Sequence, residues 1–237
     1  MTEFLAEFFS DIYNAGRKEK SFCVGDDSMK SIILPDLLNS EWASRSEMLS
    51  DFKKTPYYTQ LMHTCKTLNR SVIYESELHG VDHIERVILL GALIAWKISL
   101  SDTDTQLLMA ACSYHDIGRI DDSVDDEHGR RSAEMLRDLS ILPPSLFTDD
   151  ELQILYAIIT VHSMSDTLKV DVAEKYHIPT WQMDRYLELM ACLKDADNLD
   201  RVRVDDLDVS HHRHQISVDL APFAKSLYAR YIHIQYS

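Results

Sequence analysis

A small set of histidines and aspartates is spaced as metal chemistry would require. In "ELHGVDHIERV" (77–87), His79 and His83 lie four apart and share one face if both are helical. An adjacent imidazole and carboxylate, His115-Asp116, ends the apolar run before "DIGRIDDSVDDEHGRR", and His128 follows twelve residues after the aspartate. His162 closes "ITVHS", and "CLKDADNLDRVR" (192–203) supplies Asp195, Asp197 and Asp200. Each position alone carries little, because a histidine in a helix is most often just hydrogen-bonded. The ordered set says more. Asp197 lies three and four residues from Lys194 and Leu193 and seven from Met190, which puts it on or near an inward stripe. An unpaired buried carboxylate costs on the order of several kcal/mol, so Asp197 must meet a cation.

If such a site acts on an anion, it needs positive charge around it. Arg119, three residues past Asp116, is the first candidate, followed by Arg130, Arg131, Lys194 and Arg201. Plainer readings stand beside these. Arg119 could pair with Asp121 or Asp122, Arg130 and Arg131 could form a solvated helix face, and Lys194 could neutralise Asp197 or Asp195. His79 could touch a leaving group, act as an acid, orient His83 or serve structure alone. Within the acidic loop "DDSVDDE" (121–127), Asp121 or Asp125 could steady a ligand histidine from behind. "HHRH" (211–214) reads as exposed loop histidines, or else as a pocket wall near the metals.

The elements that must hold these groups read as helices. Apolar residues recur at three and four, few segments alternate, and there are only 6 glycines. Thr55-Pro56 opens a helix over about 56–73. Further helices are expected over about 80–99, over about 104–117 (capped near Ser101 and ended by Gly118), over 127–139, and from Thr148 or Asp149 to about His162. The last two run from Thr180 to about Leu199 and over about 219–234. Residues 1–55 are less regular, with "MTEFLAEFF" amphipathic and "KEKSFCVGDD" (18–27) a loop. The expected class is all-α, a single globular helical bundle. Residues 1–74 are expected to form an N-terminal helical extension packed on a core of residues 75–237.

Composition limits the partners. A formal net charge of −15 opposes binding to nucleic-acid polymers and to membranes, although a bound cation can reverse the field locally. The longest apolar stretch, "VILLGALIAW" (87–96), is too short to span a bilayer. Cys23, Cys65, Cys112 and Cys192 form no CxxC and read as reduced thiols of a cytoplasmic protein without a signal peptide.

Three segments, in order, resemble the HD-domain metal-dependent phosphohydrolase superfamily: "DHIERV" its first segment, "YHDIGR" its defining one and "KDADNLDRVR" its last. The resemblance covers about residues 75–205 and implies a bundle of the HD-domain type, with His83, His115, Asp116 and Asp197 as primary ligands. Arg86 stands where the family often has a structural ion pair. "EHGRRSA" and "ITVHS" resemble the binuclear branch, in which His128 and His162 would hold a second metal bridged through Asp116. With one metal, those two histidines would contact phosphate instead.

Imidazole and carboxylate ligands without thiolate suit one or two ions of manganese, iron, nickel, cobalt or zinc. The implied activity is hydrolysis of a phosphoester or phosphoanhydride bond in a small nucleotide-like, phosphorylated substrate by a metal-activated water. Asp116, Arg119, His79 and Lys194 are the residues expected to act in catalysis. The same ligands are also compatible with the superfamily's di-iron oxygenases, such as myo-inositol oxygenase-like enzymes, or with a non-catalytic metal-binding regulatory module. Neither the long alarmone-hydrolase signatures nor the Gly-Tyr-Pro motif of the cyclic-di-nucleotide branch is present.

Overall fold

A computed structural model describes residues 33–235. The expectations for "MTEFLAEFF", "KEKSFCVGDD" and Cys23 lie outside that range. Among the described residues the structure is all-α, with no strand. In chain order the helices are α1 (Leu34–Leu38), α2 (Glu41–Ser44), α3 (Glu47–Phe52), α4 (Pro56–Thr67), α5 (Val81–Ile98) and α6 (Asp102–Tyr114). They continue as α7 (His128–Asp138), α8 (Asp149–His162), α9 (Lys169–Lys175), α10 (Met183–Leu199) and α11 (Gln215–Gln235).

Helix α5 is the axis of the bundle. An unbroken run from Asp82 to Ala95 is buried, so every polar side chain it carries needs a partner inside the protein. It packs against α4, α6, α10 and α11. Glu85 is one such polar group. Its Oε2 accepts the backbone N–H of Ile33 and of Leu34, both at 3.1 Å, and the Tyr231 hydroxyl at 2.8 Å. A single buried carboxylate thereby ties the start of α1 and the C-terminal part of α11 to the axis. Arg86 is another.

Local signals explain most helix starts. The Ser101 hydroxyl accepts the Asp104 N–H at the head of α6, and Thr148 and Glu151 form a reciprocal capping box at the head of α8. Thr55 does not cap α4. Its hydroxyl donates to the Phe52 carbonyl at 2.6 Å, and Pro56 alone sets the start. That helix stops at Thr67 rather than near residue 73, since residues 70–72 turn separately as a 3-10 helix. Helix α11 begins at Gln215, earlier than its apolar pattern suggests, and carries Pro222 within it. Helices α1, α2 and α3 fall within the expected N-terminal helical extension, but the sequence pattern gives neither them nor α9 individual bounds. All four are seven residues or shorter, too few turns for a period to declare itself.

Gly118 does not end α6, which stops at Tyr114. It is the place where α7 crosses the turn after α6. A Cβ there would lie 2.4 Å from the Ser132 nitrogen, and the Gly118 N–H donates to the Ser132 hydroxyl at 2.8 Å. Gly129 makes the matching approach to α8, where a Cβ would sit 2.6 Å from the Ile159 carbonyl oxygen. The obstructing atoms are backbone and have little room to yield. Gly129→Ala is expected to cost about 1–3 kcal/mol, read as a lower Tm. Burial pushes the Cys65 thiol up to about 12, and raises Cys112 and Cys192 as well. These three thiols are expected to react with a thiol reagent only after unfolding, as peptide mapping of the labelled protein would show.

Candidate metal centre

The histidines and aspartates singled out in the sequence meet at one end of the bundle. His83 sits in the first turn of α5, His115 and Asp116 just past α6, His128 at the first position of α7, His162 at the last of α8, and Asp197 in the last turn of α10. The C-terminal ends of α6, α8 and α10 all come here, and the negative end of a helix dipole favours a cation.

Each of the four imidazoles is fixed through its Nδ1. His115 Nδ1 lies 3.0 Å from the Cys112 carbonyl oxygen, and His162 Nδ1 lies 2.6 Å from that of Ile159. Both acceptors are carbonyls of a last helical turn, which the helix itself leaves unpaired. His128 Nδ1 is hydrogen-bonded to the Asp125 carbonyl, and His83 Nδ1 lies 2.8 Å from Asp200 Oδ2. Since these acceptors carry no proton, Nδ1 holds the hydrogen and each Nε2 presents a lone pair. Those lone pairs face one another: His83 Nε2 is 3.2 Å from His115 Nε2, and His128 Nε2 is 3.0 Å from His162 Nε2. Burial drives the His83 imidazole down to about 3, which keeps it neutral.

Asp116 lies between the two histidine pairs. Its Oδ2 is 3.6 Å from His83 Nε2, and its Oδ1 is 3.0 Å from His128 Nε2 and 3.5 Å from His162 Nε2. Asp197 Oδ1 approaches His83 and His115 at 3.5 and 3.8 Å. Asp116 Oδ1 and Asp197 Oδ1 are both buried, and neither accepts a well-formed hydrogen bond. Two orphaned carboxylate oxygens among converging imidazole lone pairs form a donor set that fits divalent cations. His83, His115 and Asp197 make one group of suitable atoms, and His115, Asp116 and His162 another. Asp197 is less enclosed than the sequence suggests, with 28 % of its side chain exposed, so it stands at the mouth while the histidines line the floor.

The surrounding charges sort themselves differently from expectation. Arg119 pairs with Asp116 itself, Nε to Oδ2 at 2.9 Å, rather than with Asp121 or Asp122. His79 Nδ1 is held by Asp122 at 3.0 Å, and its ring meets His83 edge to face. Lys194 donates to Asp166 Oδ1 and to the Met164 carbonyl, not to Asp195 or Asp197. Arg130 bridges Glu127 and Glu134 on an outer face, Arg131 pairs with Asp125, and Arg201 pairs with Asp206. Asp125 holds the candidate ligand His128 through its backbone carbonyl rather than its carboxylate, while Asp121 bonds within its own loop to Ser123. In the "HHRH" segment, His214 and the backbone of Arg213 grip Asp195, and His211 is exposed beside Asp208.

Asp200 had no role assigned from the sequence. It fixes His83 with one oxygen and takes a two-pronged bond from Arg86, at 2.6 and 2.9 Å. The Arg86 guanidinium lies over the rings of Tyr228 and Tyr231, at 5.2 and 5.1 Å. The signal was its spacing: three residues past Asp197 it occupies the same end of α10, one turn on.

Asp200→Asn leaves the Arg86 charge buried against a neutral group. It is expected to cost on the order of 3–5 kcal/mol of stability. In protein that stays folded it should weaken manganese binding about tenfold or more, since His83 loses its orienting carboxylate. Melting curves with and without manganese separate the two effects.

The family model of the HD domain matches residues 80–202, just over half of the chain, and every residue of the cluster falls inside it. No curated protein and no solved structure matches the sequence. With its all-α bundle and its His/Asp cluster, the chain belongs to the HD domain family.

Proposed function

We propose that this protein is a metal-dependent phosphohydrolase that cleaves a phosphoester or phosphoanhydride bond in a small nucleotide-like substrate. The observation that carries the reading is the position of Asp116 between the histidines: Oδ2 lies 3.6 Å from His83 Nε2, while Oδ1 lies 3.0 Å from His128 Nε2 and 3.8 Å from His115 Nε2. A carboxylate so placed suits two ions, one with His83, His115 and Asp197 and the other with His128 and His162. Manganese, iron, nickel, cobalt and zinc all suit these ligands. When bound, a divalent ion supplies a water acidic enough to give hydroxide near neutral pH and a positive charge for phosphoryl oxygens.

The chain's own groups do the rest. Asp116 and Asp197 hold two of the coordinating oxygens with no competing donor. Arg119 fixes Asp116 and adds positive charge at the rim. In this reading His79, steadied by Asp122 beside His83, would exchange a proton with the leaving oxygen. Lys194, taken up by Asp166 and the Met164 carbonyl, would contribute only its charge in this reading. The charge of −15 supports a small substrate over a nucleic-acid polymer or an anionic membrane. Among the described residues no helix is long and apolar enough to cross a membrane, and three buried free thiols suit a cytoplasmic setting.

Purified protein loaded with manganese, nickel or cobalt is expected to release phosphate or pyrophosphate from a panel of nucleotides. Asp116→Ala should lose at least the tenfold to about hundredfold that removal of a mere supporting group costs. Full turnover by Asp116→Ala would overturn the reading. Substrate-dependent oxygen uptake by iron-loaded protein, with no hydrolysis, would replace it with an oxygenase.

A further inference from the structure

A second group of metal-binding side chains lies on the other side of α10. Glu188, Cys192 and Asp195 follow one another at steps of four and three residues, so they share one face of that helix. Asp197, two residues beyond Asp195, turns to the opposite face and to the centre already described. His214, the residue before α11, meets the first face. Its Nδ1 lies 3.0 Å from Asp195 Oδ2, and its Nε2 lies 3.2 Å from Glu188 Oε1. The Cys192 sulfur, a Glu188 oxygen and a ring nitrogen of His214 all lie within 4.8 Å of one another.

Each of these groups is held as a metal site would need. Asp195 is fully buried, and it accepts the backbone N–H of Arg213 and of His214, both at 2.9 Å. It takes the Nδ1 hydrogen of His214, which leaves Nε2 as the ring atom turned to Glu188. A carboxylate behind an imidazole in this way orients metal-binding histidines. The Arg213 charge is met by Asp166 and Asp195 together. Ligand atoms around a tetrahedral ion stand roughly 3.5 Å apart, given bonds of about 2.0–2.3 Å. The closure required is about 1 Å, and Glu188 can supply it, because 48 % of its side chain is exposed.

The charges also balance. Between two carboxylates the His214 ring carries both its protons, and burial keeps the proton on the Cys192 thiol. A divalent ion displaces the Nε2 and thiol protons to solvent, so the net charge of the group is unchanged. Thiolate with imidazole selects zinc or cobalt over magnesium, calcium or manganese.

We propose that Glu188, Cys192 and His214 bind a zinc-type divalent ion, with Asp195 orienting His214, at a site separate from the His83–Asp197 centre. The ion clips the head of α11 to α10. Three protein donors leave the fourth corner to water.

The test titrates cobalt and then zinc into metal-free wild type, Glu188→Gln and Cys192→Ala, followed by absorbance and by Tm. Cobalt held by a thiolate shows a sulfur-to-metal charge-transfer band. The candidate ligands of the His83–Asp197 centre include no thiolate, so the band reports the new site alone. The wild type is expected to show the band and to lose it as zinc displaces cobalt. Glu188→Gln alters an exposed side chain and should leave the metal-free Tm nearly unchanged. It is expected to weaken cobalt binding about tenfold or more, the least that loss of a supporting group costs a metal site. Zinc should raise its Tm by less than it raises that of the wild type. Cys192→Ala should show no band. A wild type without the band overturns the proposal, as does equal cobalt affinity in Glu188→Gln. A band that survives in Cys192→Ala traces to another cysteine and overturns it too. If Cys192→Ala does not fold, Glu188→Gln decides alone.

Discussion

Four imidazole nitrogens with their lone pairs turned toward each other repel unless something positive sits among them. That repulsion is the constraint on which this end of the bundle depends. The Nδ1 bonds to Cys112, Asp125, Ile159 and Asp200 leave the rings no alternative tautomer that keeps those bonds. Two oxygens of Asp116 and Asp197, buried without donors, face the same space. Apart from Arg119, which meets Asp116 Oδ2 from the side, these groups are acceptors, and gathering them costs a fold stability unless a cation joins them. The arrangement has the donor set of a site that could hold cations, with its polar groups already aligned.

The means of alignment are unusually local. His115 and His162 each reach back three residues to a carbonyl at a helix terminus, so ending the helix and orienting the ligand are one event. Gly118 and Gly129 then let α7 approach both the α6 turn and α8 closely enough for His128 to meet His162. The long-range part falls to Asp200, which is joined to His83 and Arg86 and shielded by Tyr228 and Tyr231 of α11.

The long helices were legible because their apolar period runs for several turns, and the capping residues Ser101 and Thr148 marked where two of them start. The six candidate ligands were legible because their types and order repeat a family pattern, not because any spacing alone implied convergence. What could not be read depends on pairings between distant segments. Asp200 is 117 residues from His83, and nothing local distinguishes it from Asp195, which turns to His214 instead. Lys194 and Arg119 were each one partner away from a different reading, and partner choice is settled by packing. The short helices α1, α2, α3 and α9 are held by burial against the core rather than by their own periodicity.

The ligands enter from five helices that share no turn of chain, and this has a kinetic consequence. Loop closure on that scale must be completed before the last imidazole arrives, so an unfolded or half-formed chain offers an ion almost no purchase. Binding energy gained only after the barrier has been crossed leaves the folding rate nearly untouched and slows escape from the native basin. With an ion bound, the centre would serve as a latch on this end of the bundle, one that closes last and must be released first.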